Sequence, residues 1–138
     1  MTARAAELEV AVARTREAIA AADARLRDAG VLDAGDRVSA RVADEALFLI
    51  TPDGVAPHGP EGFVLAQDDA TVVPHTPGGE VDDVALADHA RRYRADAALG
   101  ALVQSGELRI AGADLDAAVD AAGSARELRD RAAAHPPT

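Results

Sequence analysis

The sequence predicts an α/β domain, in which an antiparallel or mixed sheet of about five or six short strands is flanked by helices. Three observations predict it. Short β-rich runs occupy the middle of the chain, amphipathic helical stretches precede and follow them, and 138 residues are enough for one buried core. We therefore expect a single domain over residues 1–138.

The first element is an amphipathic helix within residues 1–29. Leu8, Val12, Ile19 and Leu26 recur at spacings of four and seven, which places them on one face of a helix. Gly30 follows this stripe, and glycine commonly ends a helix.

Two β-rich runs come next, at residues 37–42 and 46–51, and the short segment between them predicts a hairpin. The second run contains LFLI, which is apolar on both faces and therefore indicates a strand in a sheet covered on both sides. Residues 51–54, TPDG, have the composition of a turn.

The remaining elements are predicted from the helical period of about 3.6 residues, the strand period of two residues, and local turn and capping residues. Ser124 is a candidate N-cap inside the alanine-rich C-terminal region, with Glu127 as its capping-box partner, so we expect a break near Gly123. The predicted elements are strands at 62–66, 70–73 and 99–103, a helix at 81–94, helices within 114–134, and a disordered tail at 135–138.

Charge and composition exclude several classes of function. The 24 acidic residues exceed the 14 basic ones, giving a net charge of −10, so nucleic acid and anionic membranes are not expected partners. The absence of lysine excludes a Schiff-base mechanism, and the absence of cysteine excludes disulfides and thiolate metal sites. No apolar leader or membrane-spanning run is present, so we expect a cytoplasmic protein.

Residues 35–55, GDRVSARVADEALFLITPDGV, carry a motif of several pieces. They resemble the N-terminal part of the class II aldolase and adducin head domain family, which has a G-N/D-x-S-x-R segment, an apolar strand and then T/N-P-x-G. The segment from His89 to Tyr93, followed by the strand at 99–103, is similar to the H-x-x-x-Y helix and the strand before the zinc motif of that family. The resemblance implies a three-layer aldolase-like domain.

The sequence also differs from this family at the positions of the family's catalytic residues. Counted without gaps from His89, the H-x-H zinc pair of the family falls on Gln104 and Gly106, which do not ligate zinc as imidazoles do. We therefore expect no metal and no other cofactor. The acid-base glutamate of the family falls on Ala85 in this reading, or on Glu80 if the sequence slips by five residues.

The resemblance gives four candidate anion-binding residues, Ser39, Arg41, Thr51 and Gly54, and one candidate catalytic residue, Glu80. Each has a structural alternative. The hydroxyl groups of Ser39 and Thr51 are also suited to capping turn backbone, Arg41 to a surface ion pair, and Glu80 to the N-terminal end of a helix dipole.

The histidines allow two interpretations. His58, His75 and His89 could form a new metal site with Glu80. His89 also lies on the helical stripe with Tyr93, as a packed core histidine would.

Two functions of different classes follow from the resemblance. The first is a non-catalytic scaffold or regulatory subunit that assembles with itself or with a full-length aldolase-like paralogue and binds a small anionic metabolite. The second is a small metal-independent lyase or isomerase that acts on a carbonyl or phosphorylated compound, with Glu80 as acid-base.

Overall fold

The computed structural model describes residues 3–32, 36–42, 46–51, 63–73, 81–105 and 108–134. These residues form three helices and five strands in the order α1 (Ala3–Asp28), β1 (Arg37–Arg41), β2 (Leu47–Ile50), β3 (Val64–Gln67), α2 (Asp83–Ala95), β4 (Ala101–Ser105), β5 (Leu108–Gly112) and α3 (Leu115–Ala134). The α/β class is confirmed. None of the helices in this part of the chain is long and apolar enough to cross a membrane.

The strands form one sheet in the order β3-β2-β1-β4-β5, and every neighbouring pair is antiparallel. The predicted β1–β2 hairpin is confirmed, with Ser39 opposite Ile50 and Arg41 opposite Phe48. On its other side β1 pairs with β4, which follows it by about sixty residues in the chain, so that Ser39 also faces Leu102. The central strand is thus fixed by one local and one distant partner.

Helices cover both faces of the sheet, as the apolar run in β2 predicts. One face packs against α1 and α3 through Leu49, Val38, Ala40, Leu65, Val103, Ile19, Leu26, Ala118 and Ala122. The opposite face packs against α2 through Phe48, Ile50, Val64, Ala66, Leu102, Leu86, Ala90 and Tyr93. The alternation of side chains along each strand therefore separates two apolar clusters.

The end of α1 lies where the sequence predicts it. Gly30 has a φ of 75°, a left-handed conformation that glycine adopts without steric cost. The N–H of Val31 donates to the carbonyl of Leu26, and the N–H of Gly30 to that of Arg27. These bonds satisfy carbonyls that the helix leaves without partners at its C-terminal end.

Two elements differ from the sequence prediction. The expected break near Gly123 is wrong, because α3 continues without interruption from Leu115 to Ala134. An interior glycine costs a helix only about 1 kcal/mol relative to alanine, which an alanine-rich helix tolerates. The expected strand at 70–73 is reduced to a single bridge between Val72 and Ala66 after a tight turn.

Candidate functional site

The central feature of the candidate site is Ser39, the polar residue between the core residues Val38 and Ala40 on β1. Its side chain is completely buried. Because Ser39 pairs with Ile50 and Leu102, it faces α2 rather than α1 and α3. A hydroxyl in this position must find hydrogen-bond partners on α2, since an unpaired buried polar group costs about 1–3 kcal/mol.

Helix α2 provides those partners one turn apart. His89 and Tyr93 lie at positions i and i+4 and therefore share the helix face that is turned towards the sheet. The Ser39 Oγ lies 2.7 Å from His89 Nδ1 and 2.8 Å from the Tyr93 hydroxyl. The expectation that His89 is a packed core histidine is confirmed, since it is completely buried.

Gln104 on β4 completes the network and defines its direction. Its Oε1 lies 3.0 Å from His89 Nε2, so that ring nitrogen carries the proton and donates. The neutral ring then accepts at Nδ1 from the Ser39 hydroxyl, which in turn accepts from the Tyr93 hydroxyl. We refer to these four residues as the polar chain.

Burial keeps the polar chain electrically neutral. It lowers the pKa of His89 from 6.5 to about 4, and the nearby charges of Arg37 and Arg109 act in the same direction. The hydrogen bond to Gln104 and the charge of Asp88 oppose this shift but do not outweigh it. Burial likewise raises the pKa of the Tyr93 phenol.

Arg41 holds the end of α2 by hydrogen bonds to backbone carbonyl oxygens. The acidic residues Asp44 and Glu45 lie outside the described residues, so the surface ion pair considered from the sequence stays a prediction. The Nη2 of Arg41 donates to the carbonyl oxygens of Tyr93 at 2.8 Å and Asp96 at 3.1 Å, and its Nε donates to that of Leu99 at 2.9 Å. Its guanidinium also lies 5.2 Å from the centre of the Tyr93 ring. A cation at the C-terminal end of a helix satisfies the last carbonyls and complements the helix dipole.

Thr51 does not converge with Ser39. Its hydroxyl accepts a hydrogen bond of 3.1 Å from the backbone N–H of Val38, and its side chain is 1% exposed. Since Ile50 lies on the α2 face with Ser39, the alternation along the strand places Thr51 towards the opposite face. The candidate residues Gly54 and Glu80 lie outside the described residues, and the anion-binding role of this set stays a prediction.

A cavity of about 560 Å³ lies beside the polar chain, at the N-terminal end of α2. The N-terminal part of the helix, as far as Arg91, and three adjacent strands line it. Asp82 caps the helix there by accepting from the N–H of Ala85 at 3.2 Å. The strand residues in its wall are Arg37, Gln104 and Arg109.

Asp88 connects the cavity wall to α2. Its carboxylate accepts from Arg109 on β5 at 3.0 Å and from Arg91 and Arg92 on its own helix at 2.7 and 3.2 Å. Burial alone would raise the pKa of Asp88, but the hydrogen bond from Arg109 and the contacts with Arg92 outweigh it and lower the pKa. One carboxylate therefore forms ion pairs with three guanidinium groups.

The residues around this cavity do not fit the zinc ion of the aldolase family. Gln104 occupies the position that the resemblance gives to a zinc histidine, and its amide oxygen is engaged by His89. Within the described ranges, no group of three or more histidine, cysteine, aspartate or glutamate side chains could hold a metal ion. Gly106, His58 and His75 lie outside those ranges.

No protein-family model matches the sequence, and no curated protein matches it. Solved structures do match. The L-fuculose 1-phosphate aldolase of Glaciozyma antarctica PI12 aligns with a TM-score of 0.57 and 20% identity, over 67% of this chain and 40% of its own. The chain has a class II aldolase-type fold.

Two further solved structures agree with this assignment. YgbL of Escherichia coli, a proposed aldolase/epimerase/decarboxylase, aligns with a TM-score of 0.55 and 18% identity over 64% of this chain. YgbL of Klebsiella pneumoniae aligns with the same score and identity over 65%. At 18–20% identity the likeness shows the fold alone, and this chain spans only 40–42% of the lengths of the three proteins.

The sequence analysis did not identify the polar chain or the cavity wall. Ser39 is separated from His89 and Tyr93 by 50 and 54 residues, so spacing cannot reveal their contact. One signal was available: Ser39 lies between the apolar residues Val38 and Ala40, and a buried hydroxyl must meet polar partners on the element that covers it. Arg109 gave no signal, because β5 itself was not predicted.

Proposed function

We propose that this chain is a non-catalytic, aldolase-like protein of the cytoplasm, a short and degenerate relative of the class II aldolase and adducin family that lacks the zinc histidines. It serves as a scaffold or as a regulatory, ligand-binding subunit. The observation that carries the proposal is the hydrogen bond between Gln104 and His89. An amide at the metal position that is engaged in holding a buried histidine supports a structural use of that position.

The burial of Ser39, His89 and Tyr93 supports the same proposal. All three side chains are 0–1% exposed, and their mutual hydrogen bonds use the groups that could otherwise transfer a proton to a substrate. A general acid or base must lie within hydrogen-bond reach of the substrate. Because these side chains are buried between α2 and the sheet, they support a role in stabilising the fold rather than a role in catalysis.

The proposed partners are a second copy of the chain or a full-length aldolase-like paralogue. The N-terminal half of α1 supports this, because Leu8, Ala11 and Val12 are only partly buried and Val10 is 50% exposed. Light scattering of the purified protein, alone and mixed with such a paralogue, is expected to give a dimer or larger assembly. A monomer at micromolar concentration that also forms no mixed complex would remove the scaffold role.

Metal analysis tests the non-catalytic part of the proposal. We expect less than stoichiometric zinc in the purified protein, and a melting temperature that a chelator leaves unchanged, because no metal-binding free energy is coupled to folding. One zinc per chain, or a fall in melting temperature with the chelator, would contradict the proposal.

A metal-independent lyase or isomerase is the second candidate function, and the cavity favours it. Its wall contains the hydrogen-bond donors Arg37, Gln104 and Arg109, which suit a carbonyl or phosphorylated compound, whereas the candidate acid-base residue Glu80 lies outside the described residues. Turnover of a carbonyl or phosphorylated compound that survives chelation and is lost in Glu80→Gln would establish this activity. Absence of turnover across such a panel would favour the non-catalytic role.

A further inference from the structure

The N-terminal half of α1 leaves one of its sides in contact with solvent. The side that carries Leu8 and Val12 packs against the core. On the opposite side Ala6, Val10 and Ala13 are exposed, Val10 to 50%. These three residues follow one another at spacings of four and three, so they form one stripe along the helix, which we call the outer stripe. The charges beside this stripe indicate what covers it.

Four charged residues border the outer stripe in a repeated pattern. Glu7 and Arg14 lie along one side of the stripe, and Glu9 and Arg16 lie along the other. In each pair the acidic residue comes first, and the basic residue follows it two helical turns later. The stripe therefore has acidic borders near its start and basic borders further along the helix.

These four charges are not neutralised by the part of the chain that the structure describes. None of the described residues forms a hydrogen bond or an ion pair with any of the four side chains. Glu9 and Arg16 have no opposite charge three or four positions away along α1, the separations at which helix side chains pair. The Nε of Arg16 is also buried without a hydrogen-bond partner. The pattern therefore calls for opposite charges supplied from outside the helix.

We propose that the outer stripe binds a second copy of α1 that runs antiparallel to it, giving a dimer with two-fold symmetry. Val10 of one copy faces Ala13 of the other, and because the axis is two-fold each contact occurs twice. The small alanine side chains allow the two helices to approach closely, with Val10 packed between them. Glu17, the next residue on this face, lies opposite the small side chain of Ala6, at the end of the contact where its carboxylate remains in water.

This register pairs all four bordering charges. Matching sides of two antiparallel helices face each other, so Glu7 lies opposite Arg14 of the second copy. In the same way, Glu9 lies opposite Arg16 of the second copy. A parallel arrangement of the same stripes would match only Glu9 with Arg14. Exposed ion pairs add little affinity, so the charges select the register while the apolar stripe supplies the contact.

The inference rests on the self-association proposed above, and it specifies the surface and the symmetry of that association. Charge reversal tests it at the pairing of Glu9 with Arg16. In sedimentation equilibrium at low ionic strength we expect the unmodified protein to be a dimer. Glu9→Arg and Arg16→Glu are each expected to weaken dimerisation by at least about tenfold, because two repulsive contacts replace two attractive ones.

Mixing the two variants separates a specific contact from a general loss of association. Every contact between a Glu9→Arg chain and an Arg16→Glu chain is again attractive, so an equimolar mixture is expected to recover the dimer. Arg25→Glu is the matched control, since it reverses an exposed charge of α1 that lies roughly 20 Å from the two-fold axis. We expect this control to dimerise like the unmodified protein.

Cross-linking tests the antiparallel orientation, and the absence of cysteine from the chain makes introduced thiols the sole sites of linkage. Ala6 and Glu17 face each other across the proposed axis, whereas two copies of either residue lie about 16 Å apart along it. A disulfide needs Cα atoms within about 7 Å of each other. Ala6→Cys and Glu17→Cys are therefore expected to give a covalent dimer on a non-reducing gel when mixed, but not separately. Covalent dimers of each variant alone would show a parallel contact and overturn the proposal.

The two proposals fail in different ways. A dimer that neither charge reversal weakens, or mixed variants that remain monomeric, would overturn the α1 contact and leave the scaffold role intact. An unmodified protein that is monomeric but binds a full-length aldolase-like paralogue would likewise overturn the self-contact alone. A monomer that binds neither would overturn both. Circular dichroism of each variant verifies that a lost dimer is not a lost helix.

Discussion

The two faces of the sheet are built from different chemistry. The face towards α1 and α3 is covered by a large cluster of apolar side chains, beside which Asp23 of α1 and Thr51 are also buried. The face towards α2 combines an apolar cluster with a buried serine, histidine and arginine. The comparison shows that side chains alternating along the same strands can build an apolar core on one face of the sheet. On the other face they can add a network of directed hydrogen bonds to the apolar core.

The largest expected effect is loss of the aromatic contact on the α2 face. Phe48 stacks on Tyr93 with ring centres 5.0 Å apart, and both are buried. Phe48→Ala is expected to lower the free energy of unfolding by about 3–5 kcal/mol, because it leaves a cavity beside the polar chain. Chemical denaturation measures it, with Leu49→Ala, the neighbouring residue on the other face, as the comparison. A loss under about 1 kcal/mol would show that α2 is not docked as described.

The second effect is a dependence of the free energy of unfolding on pH, which arises from a residue on the α2 face. The folded pKa of His89 is lowered from 6.5 to about 4, so between these values the unfolded chain takes up a proton that the folded chain does not. This contribution to stability is complete above pH 6.5 and is lost as pH falls towards 4, by on the order of 2–3 kcal/mol. Urea unfolding at several pH values measures it. His89→Gln should remove this part of the slope, and an identical slope in that variant would contradict the assignment.

A reciprocal pair of substitutions compares the faces directly. Ser39→Ala leaves His89 Nδ1 without its donor and the Tyr93 hydroxyl without its acceptor, and is expected to cost about 1–3 kcal/mol. Ala40→Ser places a hydroxyl in the apolar cluster on the face towards α1 and α3 and is expected to cost a similar amount, because burying a hydroxyl among apolar side chains is unfavourable. Thermal denaturation measures both. A neutral Ser39→Ala would mean that the polar chain adds no stability.

The smallest effect is expected on the surface of α2. Arg91 contacts Asp88 at 2.7 Å, but 75% of its side chain is exposed. Arg91→Ala should change stability by less than about 0.5 kcal/mol, since exposed ion pairs contribute little. A loss above 1 kcal/mol at moderate salt would indicate that the three arginines around Asp88 act as one unit.

Local periodicity predicted the parts of the fold that depend on neighbouring residues. The β1–β2 hairpin, α2 and the end of α1 at Gly30 all follow from patterns within about fifteen residues, and all three are confirmed. Strand β5 was missed, because LRIAG has a single β-branched residue and ends in alanine and glycine, which are depleted in strands.

Recognition of the candidate site was limited by distance along the chain. The cavity wall brings together residues 37, 104 and 109 on three strands, and this geometry exists only after β4 pairs with both β1 and β5. Arg41 was predicted either to bind an anion or to form a surface ion pair, because the carbonyl groups that it contacts lie some fifty residues away. Backbone carbonyls have no sequence signature, so no pattern could have revealed that contact.

Arg41 joins the last turn of α2 to the segment that leads into β4. Its guanidinium donates to the carbonyl oxygens of Tyr93, Asp96 and Leu99, so one side chain of the central strand orders the whole connection between the two elements. The middle of α2 is protected separately by its apolar packing on the sheet. We therefore expect Arg41→Gln to speed amide hydrogen exchange in residues 96–100 more than in the middle of α2.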